Sequence, residues 1–107
     1  MAIPKRLYGP AALAAAAATV YTVPAGRLAV LRNIHVVNGT AGDLTFTASI
    51  GLDAAGTRIF AVETVSAESS FDSFAPFVLN AGEVLQAYAS AAASLTITID
   101  GEEELVS

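Results

Sequence analysis

The stretch Asp43-Leu44-Thr45-Phe46-Thr47-Ala48-Ser49-Ile50 decides the fold class. Leu44, Phe46, Ala48 and Ile50 alternate with polar positions. Successive side chains of a strand point to opposite faces, so this period of two gives one buried face and one wet or contact face. Ser94-Leu95-Thr96-Ile97-Thr98-Ile99-Asp100 repeats the pattern, with β-branched residues that suit a pleated surface. Residues 28–37 are apolar on both parities, with Leu28, Val30, Ile34 and Val36 on one and Ala29, Leu31 and Val37 on the other, which predicts a strand covered on both sides by sheet partners or another subunit. Pro24-Ala25-Gly26, Asn38-Gly39, Ala41-Gly42-Asp43, Ala55-Gly56 and Asn80-Ala81-Gly82 punctuate the chain as turns. The strands expected from this reading are 19–23, 27–37, 43–51, 57–63, 74–79, 83–90 and 94–100. Seven or eight short strands with turns every 8–12 residues predict an all-β, antiparallel β-sandwich of jelly-roll type. Val23-Pro24-Ala25-Gly26-Arg27-Leu28 and Leu79-Asn80-Ala81-Gly82-Glu83-Val84 echo one another, each opening a long strand.

The ends read differently. Residues 3–10 carry two prolines with Lys5 and Arg6 and show no helical period, so they read as an extended arm. Residues 11–18 are alanine except for Leu13; a short helix, a strand and a linker all fit them. The expected organisation is an extended N-terminal arm and Ala-rich linker at 1–18 and one β-sandwich domain at 19–107 with a short acidic C-terminal tail. Lys5 and Arg6 before residues 7–20 faintly resemble a secretory signal, but Gly9, Pro10 and the weakly apolar alanines argue against one.

Composition excludes several functions. The 107 residues hold no cysteine, which removes disulfides, thiolate metal sites and cysteine nucleophiles. A net charge of -5 with five scattered basic residues is a poor footprint for nucleic acid. No run approaches the 18 apolar residues of a spanning helix, and no membrane partner is expected. No cofactor is expected either.

Catalytic constellations are sparse. His35 lies in an expected strand, and histidine catalysis needs a nucleophile and an orienting carboxylate; no Gly-x-Ser-x-Gly elbow occurs, so a packed or interface histidine is expected. Glu102, Glu103 and Glu104 read as a solvated charge run, or as a docking point for a neighbour's basic patch. Asp53 begins a segment that resembles a calcium loop, but Ala54 and Ala55 break the ligand pattern and leave a hairpin turn. Phe71, Phe74 and Phe77 around Pro76 read as a loop dropping aromatic plugs into the core.

With 14% charged residues, much of the surface must be Ala, Ser, Thr and Gly. Small side chains admit close backbone approach, and charge depletion marks interface cores. The expected interface residues are Lys5, Arg6, Leu7, Tyr8 and Pro10 on the arm, with Arg27 and Arg32 as secondary contacts.

Leu7-Tyr8-Gly9-Pro10, Val20-Tyr21-Thr22-Val23-Pro24-Ala25-Gly26-Arg27 and Leu31-Arg32-Asn33-Ile34-His35-Val36-Val37-Asn38 resemble the opening of small tailed-bacteriophage virion proteins. Val78-Leu79-Asn80-Ala81-Gly82-Glu83-Val84-Leu85 and Leu95-Thr96-Ile97-Thr98-Ile99-Asp100-Gly101-Glu102 resemble their close. The resemblance implies a non-enzymatic decoration or minor tail subunit located in the virion. Its partners would be major capsid or tail proteins and further copies of itself, with a trimer as the working order. It transfers no active-site residue. The alternative is a receptor- or glycan-binding tail module using Tyr21 or Tyr88, and a small hydrolase would have to run through His35.

Overall fold

The computed structural model describes residues 5–105, and these contain nine strands and no helix. They are β1 (Lys5–Ala12), β2 (Ala18–Thr22), β3 (Arg27–Asn38), β4 (Leu44–Ile50), β5 (Arg58–Val65), β6 (Ser69–Ser73), β7 (Phe77–Leu79), β8 (Val84–Ala89) and β9 (Leu95–Leu105). Residues 1–4 of the expected arm and 106–107 of the expected tail lie outside the described residues.

Two antiparallel sheets face each other. One runs β1-β9-β3, with β6 and β7 sharing the far edge of β3. The other runs β2-β8-β4-β5. Counting β6 and β7 as one position gives eight, and the chain shuttles between sheets as in a jelly roll. The apolar parity of the alternating segments supplies the core as expected, with Phe46, Ala48, Leu95, Ile97 and Ile99 buried, but the other parity of β4 is covered and not wet, with Thr47 and Ser49 buried as well. Phe46 and Phe60 from one sheet meet Phe71 and Phe77 from the other, with ring centroids 5.3–5.9 Å apart. The two echoed turns lie side by side. The Val23 amide donates to the Glu83 carbonyl at 3.0 Å and the Gly82 amide to the Val23 carbonyl at 3.1 Å. Gly26 and Gly82 take φ of +75° and +82°, a region open to glycine without steric cost.

Four further expectations are corrected. The arm expected at 3–10 to lie on a neighbour is, from Lys5 on, an extended strand of this sheet: β1 pairs with β9, and the following Leu13 is 1% exposed. The apolar groups Leu7, Tyr8 and Leu13 find a place on the chain's own core, and hydrogen bonding to β9 satisfies the backbone. Second, β6 was missed: Ser69-Ser70-Phe71-Asp72-Ser73 has weak strand propensity, and pairing with β3 imposes its form. Third, the phenylalanines fill the core only in part and not from a loop. Phe71 and Phe77 pack on the core from β6 and β7, and Phe74 between them is 73% exposed. Fourth, the glutamate run is not a solvated tail but the last part of β9.

Candidate assembly surface

The expected interface residues converge on the acidic end of β9. Lys5 is registered opposite Gly101 and Arg6 opposite Asp100. The Lys5 ammonium donates to Glu103 Oε1 at 3.0 Å, and Arg32 Nη2 donates to Glu102 Oε1 at 3.2 Å. Arg27 opens β3 and lines a recess with Glu103, Glu104 and Leu105. Leu7 and Tyr8 pack half-buried against the core, and Pro10 is exposed where β1 shifts register. Such a shift within an edge strand is where proline is tolerated. Two of the expected contacts to another chain, Lys5 and Arg32, are therefore bound to the protein's own glutamates, and Leu7 and Tyr8 to its own core.

Glu103 is the residue the sequence reading misjudged most. Its side chain is 9% exposed and projects from β9 into the end of the gap between sheets. There it accepts the hydroxyl of Tyr21, which lies on β2 in the other sheet, as well as the Lys5 ammonium. The Tyr21 hydroxyl holds the Glu103 carboxyl below the usual carboxylate range; burial opposes this and Lys5 reinforces it. Burial, then the bond to Glu103, pushes the Tyr21 hydroxyl well above the ordinary tyrosine range. One carboxylate thus joins β1, β9 and β2. No local signal marks this, because Tyr21 and Glu103 are 82 positions apart.

Arg32 exposes a second misreading. Its neighbours Leu31 and Asn33 are registered against consecutive residues, Gly101 and Asp100, so Arg32 is an extra residue in a bulge. Leu31 faces the core, and beyond the bulge Ile34 and Val36 do so. His35, expected on the parity of Leu31, therefore faces outward. Its Nδ1 lies 2.6 Å from Asp72 Oδ1 across the β3–β6 pair. That contact, chiefly, holds the Asp72 carboxyl below its usual value. An orienting carboxylate is present, but among the described residues no serine hydroxyl bonds the His35 ring. Asp53 closes the β4–β5 hairpin as expected, gripped by Arg58 at 3.1 and 3.3 Å and by Ser49 Oγ at 2.8 Å. Tyr21 is too buried to stack on a sugar ring, while Tyr88 on β8 is half-exposed. Among the described residues, no three His, Asp or Glu side chains group as a metal site.

No protein-family model matches the chain, and no curated protein does. Among solved structures, the chain is similar to a subunit of Bacillus endospore appendages described as disulfide-linked pili. The TM-score is 0.58 at 18% identity, over 99% of this chain and 89% of that one. A second match, to infectious bursal disease virus Gt strain, covers 96% of this chain and 28% of that one at 13% identity and a TM-score of 0.38, too slight to bear on the fold. At this identity the first likeness is one of fold.

Proposed function

We propose that this protein is a non-enzymatic structural subunit, an accessory decoration or minor tail protein of a bacteriophage virion that binds and stabilises the assembled capsid or tail as an oligomer. The observation that carries the reading is the full-length jelly-roll likeness to a subunit of a polymeric appendage. The resemblance of residues 7–10, 20–27, 31–38, 78–85 and 95–102 to small phage virion proteins supports the phage assignment. The outer surface supports an assembly role too, with Phe74, Val78 and Leu105 at 73%, 54% and 78% exposure. The mechanism is thermodynamic: a subunit that binds only the assembled particle stabilises that state by mass action, and repetition adds avidity. The disulfide linkage of the pilus is closed to this chain, which has no cysteine.

The test is the protein content of purified virions of the phage that encodes the chain. Peptides of this protein should appear in fixed ratio to the major capsid or tail protein, and a density map should place the jelly roll on the particle exterior. Virions free of the protein would overturn the assignment.

A further inference from the structure

We propose that the segment from Lys5 to Ala14 is an exchangeable strand: the slot on β9 that holds it within one chain receives the same segment from a second copy in the assembly. The proposal deepens the assembly reading and rests on it for the association of copies. It names the contact through which they join.

Three features of the fold carry it. First, β1 is a sheet edge, paired among the described residues only with β9. Second, its partners all lie across the slot. The Leu13 amide donates to the Leu95 carbonyl at 2.9 Å and the Leu13 carbonyl accepts from the Ala93 amide at 2.9 Å, the Ala14 carbonyl accepts from the Ala89 amide of β8 at 2.8 Å, and Lys5 is held by Glu103. None of these contacts depends on which copy donates the strand. Third, the hinge is present. Ala15, Ala16 and Ala17 are exposed, belong to no strand, and make no backbone hydrogen bond of the kind that anchors Leu13 and Ala14. Fully extended, three residues reach roughly 10 Å.

Competition between the two donors is set by concentration. A short tether presents the chain's own strand at an effective concentration of about 1 mM. Dilute protein keeps β1 at home, and copies crowded on a particle exchange it.

Ala12 and Thr96 face each other in the β1–β9 register and both are exposed. The chain has no native cysteine, so single variants report cleanly. Ala12→Cys protein is mixed with Thr96→Cys protein at about 1 mM, near the tether concentration, in oxidised glutathione. Disulfide-linked species are resolved by mass. The expected result is a 12–96 heterodimer in at least about tenfold excess over a control with Thr64→Cys on the other sheet, the signature of register-specific docking. Parity with that control overturns the proposal.

A chain carrying both cysteines, oxidised, pins β1 to its own β9. Added to virions lacking the protein, the pinned chain should fail to bind where its reduced form binds. Binding by the pinned chain overturns exchange while leaving the virion assignment standing. Failure of both forms overturns the assignment, and the cross-link result then decides exchange alone.

Discussion

Glu103→Gln isolates the charge that joins the two sheets. Gln keeps the shape and one carbonyl acceptor for the Tyr21 hydroxyl, and loses the negative charge that Tyr21 and Lys5 both address. Hydrogen bonds to charged groups contribute about 1.5–3 kcal/mol and neutral ones about 0.5–1.5. The Lys5 contribution is small, because its side chain is 52% exposed and solvent screens it. The expected net loss is about 1–2 kcal/mol at pH 7, or a melting temperature lower by roughly 5–10 °C for a domain of this size. The pH dependence follows from the direction of the Glu103 shift. Its carboxyl is depressed in the folded state, so its contribution is complete above the unfolded value of about 4.3 and is lost as pH falls through the folded value. Melting curves of the two proteins from pH 7 to pH 2 should therefore converge in acid. Asp72 and Asp53 are depressed as well, chiefly by His35 and Arg58. They act equally in both proteins and drop out of the difference. A gap that is absent at pH 7, or that stays constant down to pH 2, would refute the role given to Glu103.

Ile97→Asp should leave no cooperative thermal transition, since Ile97 is fully buried and an unpaired buried charge costs several kcal/mol; an unchanged melting temperature would put Ile97 on the wrong face. Asn38→Ala should cost about 1–3 kcal/mol in urea unfolding. The fully buried Asn38 amide donates to the carbonyls of Gly42 and Val65 at 2.9 Å and accepts from Thr40, and truncation strands those groups. Val62→Asn should raise stability by about 1 kcal/mol in the same assay. Val62 is 59% exposed and holds φ at +50°, a conformation β-branched residues resist and asparagine tolerates.

The sequence by itself determined the fold class and the faces of its plainest strands. Alternation at 43–50 and 94–100 placed Phe46, Ala48, Ile97 and Ile99 inward, because side-chain direction in an unbroken strand is local geometry. The turns were legible for the same reason. Tertiary structure decided everything that depends on which strands meet. The Arg32 bulge inverts the phase of β3 halfway along, and only the register with β9 defines it, so His35 could not be placed from period alone. The serines and aspartate of β6 become a strand because β3 offers them a free edge. Lys5, Tyr21 and Glu103 looked like an arm cation, a strand aromatic and a tail charge. The fold brings them together at one end of the sandwich, where the carboxylate is withdrawn from water and strengthens its bonds to both partners.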